Sequence, residues 1–267
     1  DIEFQAKHVA GMISHNGSFN CNAAKALLLP SRWAHRDAFV SKLREALAHT
    51  EPRKAYYPGA QQRYAAFREV YPQSIPLTEA SEEVVPWTVI PDVNAVKGEY
   101  ALTQEAFCGI VAEVDIDAAG AEEYLEKAVA FANESMWGTL SCMMLVHPKT
   151  EKAHPDAVDA AIGALNYGGV GVNVWAGVIY GLGCTSWGAF PGHDMKEIVS
   201  GIGTVHNTYL VDHPEKSVLR APFRINPKPV WFPDNSNLPE IGRRMLSFEY
   251  APSAFKIPGI ALAALQG

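Results

Sequence analysis

From about residue 84 onward, the sequence alternates between short apolar runs and amphipathic segments, and this alternation limits the possible folds more than any other feature. The runs at 87–90, 110–116, 139–146 and 169–174 are almost continuously apolar and are predicted as buried strands. Between them, apolar side chains recur at helical spacing over 121–132 and 155–165. Buried strands separated by amphipathic helices predict a three-layer α/β/α domain with a mainly parallel sheet.

The residues before this alternation are predicted to contribute two or three helices and one strand to the same domain. An apolar stripe at helical spacing predicts a first helix, which ends at Asn16-Gly17 because glycine adopts the left-handed conformation without steric cost. The further predictions are a strand at 26–29, a helix capped by Ser31 and a helix near 61–70. Residues 51–85 are rich in proline, tyrosine and charge and are interpreted as a covering segment.

Composition excludes several classes of protein. With 48% hydrophobic and 19% charged residues, the 267-residue chain is typical of a soluble globular protein with a large core. Its 22 basic and 29 acidic residues give a net charge of −7, which argues against nucleic acid or an anionic membrane as a partner. The four cysteines are far apart, so we expect neither a disulfide scaffold nor a metal site. We expect a reducing, cytoplasmic location instead.

Cys21 is the best candidate for a reactive group. It lies in a polar turn of Gly, Ser and Asn residues between a predicted helix and a predicted strand. A lone cysteine is usually buried packing, but backbone N–H groups in such a turn can stabilise a thiolate or an oxyanion. Cys184, in a glycine- and aromatic-rich loop at 177–192, is the alternative nucleophile.

Several segments resemble conserved motifs of the aldehyde dehydrogenase superfamily, in the same order along the chain. The segment from Asn16 to Lys25 resembles the nucleophile motif N-x-G-Q-x-C, with one extra residue between Gly17 and Cys21. The others are Glu105-Ala106-Phe107-Cys108-Gly109-Ile110-Val111 (E-x-F-G-P-V), Ala132-Asn133-Glu134-Ser135-Met136-Trp137-Gly138 (A-N-x-S-x-Y-G), Tyr167-Gly168-Gly169-Val170-Gly171-Val172-Asn173 (G-x-V-x-V-N) and Trp187-Gly188-Ala189-Phe190 (P-F-G-G).

This resemblance implies an activity and a set of site residues. Cys21 would attack an aldehyde carbonyl, hydride would pass to NAD or NADP, and water would hydrolyse the resulting thioester. Glu105 and Phe107 would hold the nicotinamide ribose. The lining of the site is assigned to Asn20, Asn173, Trp175 and Trp187. We expect Cys21, Glu105, Phe107 and Asn173 to converge on one face beside the 177–192 loop, with Cys21 near the carboxyl edge of the sheet.

The resemblance also implies that an N-terminal half precedes Asp1. In the family, the dinucleotide fold, the asparagine of the oxyanion hole and the glutamate base all lie upstream of the cysteine. We therefore predict a catalytic domain at 1–218 without its NAD-binding domain, and a proline-rich extension at 219–267 packed on it. The expected partners are an aldehyde, that N-terminal domain and a second copy of the chain in a homo-oligomer. An inactive assembly domain and an acyl-transferring, CoA-acylating relative remain as alternatives.

Overall fold

The computed structural model describes residues 1–267 and contains ten α-helices and nine strands. The helices are α1 (Ile2–Ser14), α2 (Arg36–Ala48), α3 (Ala60–Val70), α4 (Tyr100–Thr103), α5 (Ala121–Ser135), α6 (Pro148–Ala153), α7 (Pro155–Ala164), α8 (Gly177–Leu182), α9 (Leu238–Tyr250) and α10 (Ile257–Leu265). The strands are β1 (Ala26–Pro30), β2 (Ile75–Pro76), β3 (Thr88–Val93), β4 (Ile110–Ile116), β5 (Ser141–Met144), β6 (Gly169–Val172), β7 (Trp187–Gly188), β8 (Thr204–Val205) and β9 (Ser217–Arg220).

The first sheet has the order β1-β4-β3-β2 and is parallel except for its edge strand β2. Side chains alternate between its two faces, as the pleat requires. Val89 and Val111 pack with α1 and α2 on one face, whereas Ile90 and Ile110 pack with α3 and α4 on the other. The sheet is therefore the middle of three layers.

The second sheet, β5-β6-β9, is wholly parallel. Helices α5 and α7 cover the face that carries Val170 and Val172, and α8 with β7 covers the other face. The glycines of β6 allow close packing on that second face, since a Cβ on Gly171 would lie 2.3 Å from the carbonyl oxygen of Val174. This confirms the interpretation of the glycine run at 168–171 as a tightly packed entry into a strand.

The predicted three-layer α/β/α fold with mainly parallel strands is confirmed, but the strands form two sheets instead of one. The two sheets share apolar layers. Leu28 of β1 packs against the cluster around α5 and α7, and Met143 of β5 packs against the cluster around α1 and α2. A short antiparallel pair, β7-β8, completes the strands.

Several predicted boundaries differ from the structure for local reasons. The strand predicted at 169–174 ends at Val172, because Asn173 has a φ of +58°. The helix predicted to start at Ser31 starts at Arg36, and the Ser31 hydroxyl donates instead to Asp117 at 3.2 Å. The predicted loop at 177–192 contains α8 and β7, and β9 and α10 were not predicted.

The C-terminal residues lie against the first helix. Phe232 is buried and stacks on His8 with ring centroids 5.3 Å apart, and a Cβ on Gly11 would lie 2.1 Å from the carbonyl oxygen of Trp231. Strand β9 includes residue 218, where the sequence predicted the boundary between the catalytic domain and the proline-rich extension. That boundary stays a prediction. No helix is both long enough and apolar enough to cross a lipid bilayer.

Candidate active site

Cys21 and Glu105 lie in two turns that enter neighbouring strands. Cys21 is in the turn between α1 and β1, and Glu105 is in the turn between α4 and β4. Since β1 and β4 are parallel, with Ala26 opposite Ala112, both turns are at the amino edge of the first sheet. The prediction that Cys21 lies near the carboxyl edge is therefore wrong, because a turn from a helix into a strand of a parallel sheet lies at the start of that strand.

The turn that carries Cys21 is shaped by three successive residues with positive φ. These are Asn16 at +54°, Gly17 at +68° and Ser18 at +68°. A Cβ on Gly17 would lie 3.1 Å from the ring of Phe19, so this position favours glycine for space as well as for its backbone. The chain leaves α1 here and turns toward β1.

Side-chain amides hold this turn together. The Asn16 amide nitrogen donates to the carbonyl oxygen of Phe19 at 3.0 Å and to the hydroxyl of Tyr56 at 2.9 Å. The Asn20 amide nitrogen donates to the carbonyl oxygen of His15 at 2.9 Å, and its amide oxygen accepts from the backbone N–H of Asn22 at 2.9 Å. Both polar atoms of Asn20, which was predicted to line the site, are thus used within the turn.

The thiol of Cys21 is exposed, and its sulfur lies 3.7 Å from the amide oxygen of Asn22. Partial burial of the sulfur raises the pKa of Cys21, and the nearby Glu105 carboxylate raises it further. The backbone N–H of Cys21 acts in the opposite direction by favouring the thiolate, but its effect is smaller than that of burial. The protonated thiol is therefore the stable form of Cys21 near neutral pH.

Lys25 connects the two turns. Its ammonium donates to the hydroxyl of Ser18 at 2.6 Å, to the carbonyl oxygen of Ser18 at 3.2 Å and to the carbonyl oxygen of Cys108 at 2.7 Å. Burial of the ammonium lowers the pKa of Lys25 to about 8.

Glu105 and Phe107 are presented by a segment that is tied down through its backbone. Glu105 is exposed, and Phe107, with a φ of +41°, is half-buried. Arg63 of α3 donates to the carbonyl oxygens of Ala106 at 3.0 Å and Phe107 at 3.3 Å.

Four aromatic rings lie between the two turns. The Phe107 ring lies 4.7 Å from the Tyr57 ring and 6.4 Å from the Phe19 ring, measured between centroids. Tyr56 meets Phe19 edge-on at 5.1 Å. Tyr56, Tyr57 and Arg63 all come from the 51–85 segment. Sequence reasoning treated that segment only as a cover, although its adjacent tyrosines were a signal of an aromatic surface.

The remaining predicted site residues separate into two groups. Trp175 joins the Cys21 turn, since its indole N–H donates to the carbonyl oxygen of Asn22 at 2.8 Å. Asn173 and Trp187 make their contacts in the second sheet. The Asn173 side-chain oxygen accepts from the backbone N–H of Val146 at 2.7 Å, and Trp187 is buried with Ala176 and Ile179.

Cys184, the alternative nucleophile, is exposed in the turn after α8. Its carbonyl oxygen accepts from the side-chain amide of Asn207 at 2.8 Å. The Nδ1 atom of His206, the residue before Asn207, is buried without a hydrogen-bond partner.

The residues around Cys21 fit the nicotinamide end of a dinucleotide but not its phosphates. Glu105 offers an exposed carboxylate for a ribose hydroxyl, and Phe107 offers part of a ring. The glycine pair at 181 and 183 cannot serve a pyrophosphate, because Gly183, with a φ of +65°, ends α8 where an anion needs the start of a helix. Two cavities of about 550 and 410 Å³ lie elsewhere, under α2 and between α9 and α10, and include none of these residues.

The parallel α/β fold of this chain is similar to the fold of known structures. It superposes with a TM-score of 0.62 on an NAD-dependent aldehyde dehydrogenase from Sinorhizobium meliloti, at 15% identity, over 78% of this chain and 40% of that one. It also superposes on lactaldehyde dehydrogenase from Escherichia coli, with a TM-score of 0.56 and 20% identity over 78% and 42% of the two chains.

A third similar structure is betaine aldehyde dehydrogenase from Staphylococcus aureus in complex with NAD+, with a TM-score of 0.57 and 14% identity over 76% and 39% of the two chains. No family model matches the sequence, and no curated protein matches it either. The chain thus has the fold of part of an aldehyde dehydrogenase and spans about two fifths of the length of these enzymes.

Proposed function

We propose that this chain is the catalytic half of an NAD(P)-dependent aldehyde dehydrogenase, with Cys21 as its nucleophile. One observation carries the proposal: an exposed thiol is held in a turn of left-handed residues, with the Glu105 carboxylate near enough to raise its pKa, within a fold shared with aldehyde dehydrogenases. The aldehyde, the N-terminal cofactor-binding half, a possible homo-oligomer and a cytoplasmic location belong to the same proposal.

The residues of this chain carry out the covalent part of the reaction. The Cys21 thiol gives its proton to solvent water or to a base on the N-terminal half, and its sulfur adds to the aldehyde carbon while the carbonyl π electrons move to oxygen. The backbone N–H of Cys21 can stabilise the resulting oxyanion. NAD(P)+, when bound, supplies the acceptor for the hydride. Cys21 then holds the acyl group as a thioester, which water cleaves to release the acid and restore the thiol.

The second candidate function, an inactive dehydrogenase-like domain kept for assembly, is favoured by one observation. Burial and the Glu105 carboxylate both raise the pKa of Cys21, and no lysine or arginine is placed to lower it. Reactive cysteines usually lie in environments that favour the thiolate. An active enzyme would therefore need a base, or a bound cofactor with its positive charge, to ionise this thiol.

The experiment measures NADH and NADPH formation from a panel of aldehydes by the intact protein that contains this chain. We expect Cys21→Ala to reduce turnover by roughly 10³-fold or more, since the covalent step is lost, and Cys184→Ala to leave it unchanged. Loss of turnover in Cys184→Ala, with turnover kept in Cys21→Ala, would identify Cys184 as the nucleophile. Absence of turnover in the unaltered protein, with iodoacetamide still alkylating Cys21, would favour the inactive domain.

A further inference from the structure

Lys25 connects two turns of the candidate site through its ammonium group. Its single ammonium donates to Ser18, in the turn that carries Cys21, and to the carbonyl oxygen of Cys108, in the segment that carries Glu105. These acceptors are 7 and 83 residues away along the sequence. Three donors meet three acceptors, so every N–H of the ammonium is used inside the protein.

A buried ammonium with three acceptors is not in itself evidence of function. Lys216 also donates to three backbone carbonyls, those of Ile162, Gly163 and Leu165. All three belong to the end of α7, so Lys216 closes one helix. The acceptors of Lys25 belong to two turns that meet only at the site, and the charged side chains that face it are Glu105 and Arg63.

The two turns have few other direct connections. The rings of Phe19 and Phe107 are 6.4 Å apart, and Arg63 holds the Glu105 segment from α3 without bonding to the Cys21 turn. Lys25 therefore supplies the polar contact between the turns. It does so from the beginning of β1, which is fixed against β4 by strand pairing.

We propose that Lys25 is a positioning residue, which sets the distance between the Cys21 thiol and the Glu105 carboxylate by tying the two turns together. This inference rests on the proposed function, because it assigns Lys25 a role at the same site. Lys25 does not touch the substrate. Its ammonium holds the turn that carries the thiol to the segment that carries the carboxylate, so the electrostatic coupling between Cys21 and Glu105 depends on it.

The test is a double-mutant cycle read out by the rate of iodoacetamide alkylation of Cys21, followed by mass spectrometry across pH 7–10. In the unaltered background, Glu105→Gln removes the neighbouring charge and lowers the thiol pKa, so alkylation at pH 7, below the Lys25 pKa of about 8, should become about two- to fivefold faster. In Lys25→Met, the same Glu105→Gln change should alter the rate by less than about 1.5-fold. Lys25→Arg keeps a cation in place and should restore the larger response.

Lys216→Met is the matched control, since it also removes an ammonium with three carbonyl acceptors, and it should leave the two- to fivefold response intact. Circular dichroism reports whether each variant folds. If Lys25→Met does not fold, Ser18→Ala replaces it in the cycle and should reduce the response by removing the 2.6 Å bond.

The proposal is overturned if folded Lys25→Met keeps the full response to Glu105→Gln, if Lys216→Met loses it, or if Glu105→Gln has no effect in the unaltered background. Because the measured quantity is thiol reactivity and not turnover, a protein without dehydrogenase activity can still show the coupling. The two proposals therefore fail separately.

Discussion

Two polar regions adjoin α1, and they differ in how their polar atoms are satisfied. At the carboxyl end of the helix, the side chains of Asn16 and Asn20 form hydrogen bonds that hold the turn, and the Cys21 thiol is left exposed. On the buried side, His8 lies under Trp231 and Phe232 with its Nε2 atom unpaired, and the Trp231 indole N–H is unpaired as well.

The hydrogen bonds at the carboxyl end of α1 hold a side chain in place, whereas the unpaired polar atoms on the buried side of α1 cost stability. Hydrogen bonds that hold a turn of left-handed residues keep one side chain in a defined position at the surface, which is what a nucleophile requires. Buried polar atoms without partners instead reduce the stability of the fold. Aromatic packing around His8 offsets this cost, since its ring stacks on Phe232 and lies near Phe4.

The largest expected effect on stability is the acid sensitivity of the His8 region. Burial lowers the pKa of His8 from 6.5 to about 4, so the unfolded chain binds more protons than the folded chain between these values. Stability should therefore fall as the pH falls through this window, by roughly 2 kcal/mol between pH 7 and 5 and roughly 3 kcal/mol by pH 4.

His8→Phe should remove this component, and the measurement is urea unfolding of both proteins at pH 7, 6 and 5. His154→Phe is the control variant, because His154 is half-exposed and is bonded to Glu122 at the surface. An equal pH dependence in the unaltered protein and in His8→Phe would show that the buried side of α1 is not the acid-sensitive region, and the contrast between the two regions would be lost.

The second prediction concerns the hydrogen bonds of the Cys21 turn. Asn20→Ala removes the bonds to the His15 carbonyl oxygen and from the Asn22 N–H, so it should lower the free energy of unfolding by about 1–2 kcal/mol. Denaturant unfolding measures this, with exposed Asn94→Ala as the control that should change stability by less than about 0.5 kcal/mol. An unchanged midpoint for Asn20→Ala would mean that the turn is held by its backbone alone.

The smallest expected effect tests the contact between the turn and the 51–85 segment. Tyr56→Phe removes only the hydroxyl that accepts from Asn16, and because Tyr56 is exposed the loss should be about 0.5 kcal/mol. Tyr209→Phe, at a fully exposed tyrosine, should have no effect. A loss well above 1 kcal/mol would indicate that Tyr56 supports the turn as strongly as Asn20 does.

Local patterns predicted most of the elements correctly. The apolar run at 110–116 corresponds to β4, which is buried on both faces, and the amphipathic segments at 121–132 and 155–165 correspond to α5 and α7, which each bury one face. Asn133 was interpreted as structural, and it joins the ends of α5 and α7 through Ala164 and Asn166. Strand β9 was not predicted, since its four residues alternate between half-buried and exposed positions and carry no distinct apolar run.

The sequence motifs pointed to candidate site residues, but they did not predict where those residues lie relative to one another. Ordered motifs brought Cys21, Glu105 and Phe107 to attention, but an edge of a sheet cannot be inferred from a motif. Strand order places the turns before β1 and β4 side by side, whereas Asn173 and Trp187 follow the packing of the second sheet.

By itself, the sequence determined the longer helices and the buried strands, where the glycine- and asparagine-rich turn follows the first helix, and which cysteine lies in that turn. These are local properties, decided by side-chain periodicity and by the backbone freedom of a few residues. Only the tertiary structure decided that Lys25 bonds to Cys108 and that Tyr57 packs on Phe107. Contacts between residues so far apart in the sequence depend on strand order and on the paths of the loops. The periodicity of a single segment contains no information about either.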